Sequence, residues 1–262
     1  MWITRELTSN FRQEYIVDTK ILDACSTHTI EIFKSVDFEE VAMIDKKHLL
    51  LKKYIFIESE LLAHIPLCSI PAPKNVLLFN SFNIEIAYEC FKHNVKVDCV
   101  QADKKSLDFL VSFLPHFQQT ITHNDFALFA QAMDLDIKKY DVIIADSLLD
   151  KHQIDGLSRM LTSEGILIVR SHHPLLEEEA FMQKIREYAP FFKIIMPFFP
   201  YLSILGDKSY IFASKHFHPC ADMLLQKIDL LPHLHYYNAK IHENAFTLPN
   251  FIFEKIQDIA KF

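Results

Sequence analysis

The chain has 262 residues, half of them hydrophobic, with 23 phenylalanines but only three glycines. A large core is within reach of such a chain, and tight turns must lean on Asn, Asp and Pro in place of glycine. The formal net charge is −7, and the basic residues are scattered, densest at Lys46-Lys47 and Lys52-Lys53; this excludes the basic face that nucleic-acid binding needs and suits a cationic substrate.

Up to about residue 57 the chain is strand-like, with β-rich runs at Thr29 to Phe33 and Glu40 to Ile44 and turn signals at Asp37 and Asp45-Lys46-Lys47. This predicts a small antiparallel sheet of hairpins. From Glu58 to Leu67 the pattern turns helical, and Pro71-Ala-Pro73 closes it. After Lys74, strands and helices alternate. Strands are expected at Val76 to Phe79, Val97 to Gln101, Gln119 to Ile121, Asp141 to Ala145 and Gly165 to Arg170. Helices are expected at Ile84 to His93, Lys105 to Phe113, Phe126 to Met133, Ile154 to Leu161 and Pro174 to Tyr188. Phe192 to Met196 and Ser209 to Ser214 read as a late pair of strands. Such alternation predicts an α/β fold with helices on both faces of a mostly parallel sheet. The expected class is Rossmann-like and methyltransferase-type, with a small N-terminal antiparallel β domain over residues 1–57 and a catalytic domain over 58–262.

Ligands of such sheets bind beyond the carboxyl ends of the strands. Polar residues gather at four of those ends: Asn80, Ser81 and Asn83; Gln101 and Asp103; Asn124 and Asp125; Asp146, Ser147 and Asp150. Asn and Asp also favour turns and helix caps, so strand-end position alone leaves a site and ordinary turns equally open.

Two stretches carry a resemblance. Tyr140-Asp-Val-Ile-Ile-Ala-Asp146-Ser147 is an apolar strand stopping at an acid. The tail reads Tyr236-Tyr237-Asn238, Ile241-His242, Ala245-Phe246 and Leu248-Pro249. Together with Glu60 to Pro73 they resemble the spermidine synthase (polyamine aminopropyltransferase) family, from about residue 14 to the end. The departures are specific. The family's Gly-Gly-Gly-Asp-Gly-Gly loop falls on Asn80-Ser81-Phe82-Asn83-Ile84-Glu85, with no glycine and with Asn83 for the Asp. Its ribose-clasping Glu falls on Gln101, followed by Ala102 and Asp103. Its Asp-Ser-Ser-Asp-Pro reads Asp146-Ser147-Leu148-Leu149-Asp150, its Tyr-His-Glu reads Glu58-Ser59-Glu60, and its pocket Tyr falls on Ser203, with Tyr201 nearby.

The resemblance implies transfer of an aminopropyl group from decarboxylated S-adenosylmethionine to putrescine, giving spermidine and methylthioadenosine. Asp146 is then the catalytic base. Glu58, Asp150, Tyr201 and Ser203 are the candidate acceptor contacts, and Asn80, Asn83, Gln101, Asp103, Asn124, Asp125 and Ser147 the candidate nucleoside contacts. A left-handed backbone at Asn80 or Asn83 would replace what glycine does in the loop. The sulfonium is a co-substrate; no resident cofactor or metal is expected, and none of the 14 histidines, His172-His173 and His216-x-His218 included, has metal-site spacing. A homodimer or homotetramer is expected. Two alternatives remain: a member that has lost catalysis, binds or assembles, and has a filled pocket, or a transferase with another acceptor. The five cysteines are expected to be reduced and buried. With no apolar leader and no membrane-length apolar run, a cytoplasmic location is expected.

Overall fold

A computed structural model describes residues 1–135, 139–202 and 207–262. Its N-terminal part is a hairpin, β1 (Trp2–Thr8) and β2 (Phe11–Ile16), followed by a four-stranded antiparallel sheet of β3 (Thr19–Cys25), β4 (Thr29–Ser35), β5 (Glu39–Ile44) and β6 (His48–Leu51). The helix expected from Glu58 begins earlier, as α1 (Ile55–Leu67). Twelve of its thirteen residues are buried, so it is a helix without a solvent face.

Alternation then follows: β7 (Asn75–Phe79), α2 (Glu85–Phe91), β8 (Lys96–Val100), α3 (Lys104–Val111), α4 (Phe117–Ile121), β9 (Phe126–Phe129), β10 (Tyr140–Ala145), α5 (Lys151–Met160), β11 (Leu161–Arg170), α6 (Glu178–Tyr188), β12 (Ile194–Phe198) and β13 (Tyr210–Ser214). Three short helices end the chain: α7 (Leu225–Asp229), α8 (Ala239–Ala245) and α9 (Asn250–Ile256). The large sheet has the order β12-β13-β11-β10-β7-β8-β9. All its pairings are parallel except the two made by β13, which close it as an antiparallel hairpin.

Each central strand alternates between two cores. Leu78, Val97, Ile144, Ile168 and Phe212 pack with Leu61 and Leu62 of α1 and Ile86 of α2. Leu77, Ile143, Leu167 and Ile211 pack with Leu157 of α5, Phe181 and Ile185 of α6, and Ile256 of α9.

Two expected elements are exchanged. Gln119 to Ile121, read as a strand, lies in α4, where Thr120 turns its hydroxyl back onto the carbonyl of His116 at 2.9 Å. Phe126 to Met133, read as a helix, opens as β9 because Phe126 to Phe129 find open partners in Val97 to Val100 of β8. The β-branched content at 120–122 misled, and the pairing that decided the matter is long-range. Of the cysteines, Cys68, Cys90 and Cys99 are buried, whereas Cys25 is exposed and Cys220 half-buried; all five are free thiols. Among the described residues, no helix is long and apolar enough to cross a membrane.

Candidate active site

The chain runs β7, β8, β9 outward and then returns to place β10 on the other side of β7. The crevice expected of an open α/β sheet lies at this reversal. Registers fix what lines it. Phe79 stands opposite both Val100 and Ala145, and Ala145 opposite Val169. The next residue on each strand therefore forms one row across the sheet: Gln101, Asn80, Asp146 and Arg170.

A cleft of about 300 Å³ sits over that row, lined by Asn80, Phe82, Asn83, Gln101, Asp146 and Ser147 from the large sheet, by Lys208, and by His28, Asp45 and His48 from the antiparallel sheet. Its size reaches the lower end of small-molecule sites. A filled pocket, expected for a member that had lost catalysis, is not what these residues form.

The glycine-free loop is accommodated by turning side chains away. Asn80 takes the left-handed conformation, φ 50°, which asparagine tolerates better than most residues. Ser81, Asn83, Ile84 and Glu85 are buried. Asn83 donates from Nδ2 to Ser59 Oγ of α1 at 3.0 Å, and its backbone N–H is bound by Ser81 Oγ at 3.0 Å. Phe82 also lines the cleft, edge-on to His28 with ring centroids 5.1 Å apart. Gln101 bridges the loop: its Nε2 donates to the Ser81 carbonyl at 3.2 Å, and its Oε1 accepts from the Asp103 N–H at 3.1 Å.

Charge at the far end of the cleft is compensated in pairs. Asp146 faces Arg170, Oδ1 to Nε 3.9 Å, a distance beyond hydrogen bonding. Its Oδ1 is buried and has no hydrogen-bond partner. Arg170 instead donates from Nη1 to His48 Nδ1 at 2.6 Å. Burial first, and the cations Arg170 and Lys208 next, hold His48 down at about 3, so its ring is neutral and accepts. Glu58 of α1 takes Lys208 Nζ at 3.1 Å and the Tyr210 hydroxyl on the same oxygen. Burial pushes the Glu58 carboxyl up and the Lys208 ammonium down, each opposed by the partner's charge. Arg5 closes the third pair with Asp207 at 2.7 Å.

Of the expected site residues, Asn80, Asn83, Gln101, Asp146 and Ser147 therefore meet in one cleft, with Glu58 behind Lys208. Others are elsewhere. Asp103 caps α3 and is committed to the Ser106 N–H, the Ser106 hydroxyl and the His28 N–H at 3.1, 2.6 and 3.0 Å. Asp150 is an exposed cap of α5, receiving the Gln153 N–H at 2.9 Å. Asn124 and Asp125 precede β9 instead of following it, so they lie at the opposite edge of the sheet; the exchange of α4 and β9 is the cause. Tyr201 is half-exposed, bonds the Thr247 carbonyl, and lines a separate apolar pocket. Ser203 lies outside the described residues. His218 uses Nδ1 to accept the Cys220 and Ala221 N–H groups of its own turn, and among the described residues no group of three or more His, Cys, Asp or Glu side chains is disposed to hold a metal ion.

Reading the sequence missed His28, Asp45, His48, Arg170 and Lys208. Arg170 ends a parallel strand, so the strand-end rule could have found it. The three from the antiparallel sheet carry no such signal.

The family model described as "Spermine/spermidine synthase domain" matches residues 55–224, and that of the "Spermidine synthase tetramerisation domain" matches residues 1–49. The polyamine aminopropyltransferase of Helicobacter acinonychis is 45% identical over 262 residues, covering all of this chain and 98% of the relative. That of Clostridium perfringens is 27% identical over 281 residues, covering 99% of each chain. The crystal structure of spermidine synthase from Thermotoga maritima superimposes with a TM-score of 0.90 at 24% identity, over 98% of this chain and 94% of that one. A spermidine synthase in complex with the transition state analogue AdoDATO gives 0.90 at 23% identity, over 98% and 95%.

Proposed function

The chain belongs to the spermine/spermidine synthase family, and we propose that it transfers the aminopropyl group of decarboxylated S-adenosylmethionine to an amine acceptor, putrescine foremost, with Asp146 as the base. The buried, unpartnered Oδ1 of Asp146 at the end of β10 carries this reading. A carboxylate held in register by its strand, yet not hydrogen-bonded by the protein, is poised to receive a proton.

In the reaction the acceptor arrives as an ammonium, and Asp146 binds it, orients it and takes its proton. The freed nitrogen lone pair attacks the aminopropyl carbon next to sulfur. A C–N bond forms as the C–S bond breaks, and the bonding pair returns to sulfur, discharging the sulfonium. Methylthioadenosine leaves as a neutral thioether, so no acid is needed on the leaving side. Asn80, Gln101 and Phe82 form the nucleoside wall. Gln101 has one carbonyl lone pair left for a ribose hydroxyl after accepting from Asp103. That is a weaker clasp than a free carboxylate's bidentate one, so donor affinity is expected to be modest.

The antiparallel sheet completes the cleft through His28, Asp45 and His48. A homotetramer or homodimer built through residues 1–49 is part of this proposal, supported by the tetramerisation-domain match. The test is product formation from decarboxylated S-adenosylmethionine and putrescine, with calorimetric titration of methylthioadenosine beside it. Methylthioadenosine binding without turnover of any amine would overturn the reading.

A further inference from the structure

The reaction needs one ammonium at Asp146; a diamine brings two. Three carboxylates stand in or behind the Asp146 end of the cleft, and each already faces a cation of the protein: Asp146 with Arg170, Glu58 with Lys208, Asp207 with Arg5; Asp45, on the antiparallel-sheet wall, is taken by the His28 ring at 2.6 Å and the Thr29 N–H at 2.8 Å. The three pairs are not equal. Arg5 and Asp207 are joined at 2.7 Å, with Arg5 also donating to the Lys47 carbonyl at 2.6 Å and to Gln13 Oε1 at 3.1 Å. Lys208 and Glu58 are joined at 3.1 Å, and both side chains are almost fully buried. Asp146 and Asp207 each keep a buried oxygen without a hydrogen bond, but of the two only Asp146 lines the cleft, Asp207 lining the neighbouring pocket beside Arg5 and Arg170.

Lys208 lines the cleft, whereas Glu58 does not; both line a void of about 10 Å³ behind it. The lysine ammonium therefore stands between the acceptor space and the second carboxylate, in the place where a diamine's far ammonium would seek a partner. The Lys208–Glu58 pair carries no net charge on whichever partner its proton resides, so it offers a second cation nothing. Opening the pair would strand a buried charge, and buried ions released from their partners are strongly disfavoured.

Resting on the aminopropyl-transfer reading, we infer that Lys208 is a specificity-determining residue that makes the acceptor site a one-ammonium site. The acceptor is held by charge only at the nitrogen that reacts, and its other end is sensed by shape. A diamine and a monoamine of equal chain length then differ little as acceptors. Removing Lys208 uncovers Glu58 and creates the second ammonium position.

The experiment compares kcat/KM for putrescine and n-butylamine with saturating decarboxylated S-adenosylmethionine, following methylthioadenosine release. The wild-type ratio is expected below about tenfold, since a charged hydrogen bond at the far end would by itself give about that or more. A larger ratio would overturn the inference while leaving the aminopropyl-transfer reading intact. Lys208→Met is expected to raise the ratio about tenfold or more, and the double variant Lys208→Met/Glu58→Gln to return it to the wild-type value. An unchanged or lowered ratio in folded Lys208→Met would also overturn the inference. Should that variant fail to fold, the wild-type ratio and the double variant, which leaves no uncompensated charge, decide it. No methylthioadenosine release with either amine would overturn both the inference and the function it rests on.

Discussion

Glu58 and Glu60 stand two residues apart on α1 and do opposite work. At about 100° per residue, a two-residue step carries a side chain to the other side of a helix. Glu58 lies on the cleft side of α1, behind Lys208, and its partners are the side chains Lys208 and Tyr210. Glu60 faces the tail, where both oxygens are taken by the backbone: the N–H groups of His235, Tyr236 and Tyr237 at 2.8, 2.8 and 2.7 Å. The tail is clasped further by Tyr237 Oη to His242 Nδ1 at 2.5 Å and His242 Nε2 to the Pro219 carbonyl at 3.0 Å. A carboxylate bound by backbone is fixed architecture. One bound by side chains at a cleft wall can be retuned by a single substitution. The signature stretches that make the chain recognisable, Glu60 onward and the tail, belong to the clasp, whereas the departures cluster at the cleft.

Breaking the cleft end should affect rate alone. Asp146→Asn is expected to lower kcat for aminopropyl transfer by about 10²- to 10⁴-fold, the usual worth of a positioned base, with an unchanged unfolding midpoint. Measured methylthioadenosine release within about threefold of wild type would remove Asp146 from the chemistry. Breaking the clasp should do the reverse. Glu60→Ala strands three backbone N–H groups and is expected to cost about 3 kcal/mol or more of stability, read by denaturant unfolding, while folded enzyme keeps its rate.

Acid sharpens the same division. Burial is the main cause that lowers His64 to about 3, His93 to about 2 and His242 to about 4, all on the clasp side, and His48 to about 3 at the cleft. The unfolded chain protonates these near 6.5 and the folded one does not. Their contribution to stability is thus complete above about 6.5 and is lost as pH falls below it, to about 4 for His242, about 3 for His64 and His48 and about 2 for His93, by up to about 1.4 kcal/mol per pH unit for each. Glu85, raised by burial to about 9, works the other way: its contribution is lost as pH rises from about 4.5 through 9. Stability measured by denaturant from pH 7 down to 5 should therefore fall, and replacing His64 and His93 by Asn should flatten the slope. A smaller effect is expected from Tyr237→Phe, which removes one hydrogen bond to His242 and should lower stability by about 1 kcal/mol, with cleft kinetics unmoved. A change in the methylthioadenosine dissociation constant would mean that clasp and cleft communicate.

Much of this architecture was legible in the sequence. The continuous apolar runs of Val76 to Phe79 and Val142 to Ala145, and the helices between strands, point to a doubly covered parallel sheet because both faces must be buried. That same pattern places Asn80, Gln101 and Asp146 together, since parallel strands in register end side by side. Where the local signal was ambiguous, at 117–129, the sequence misassigned a helix and a strand, and with them Asn124 and Asp125. Asp150 and Asp103 were legible as polar residues at helix starts, yet side-chain position after a strand does not separate a cap from a ligand contact.

The sequence alone determined the layer order, the acid at the end of β10 and the absence of glycine from the loop beside it. Tertiary structure decided what those features mean. It buried four of the loop's side chains and set Phe82 against His28 at the cleft, because backbone dihedrals at Asn80 set the path and no linear pattern encodes them. It brought His48 against Arg170 and Lys208 against Glu58 across separations of 122 and 150 residues. Charge compensation is a property of distance in space, and in a buried cleft that distance determines how many cations a ligand can bring.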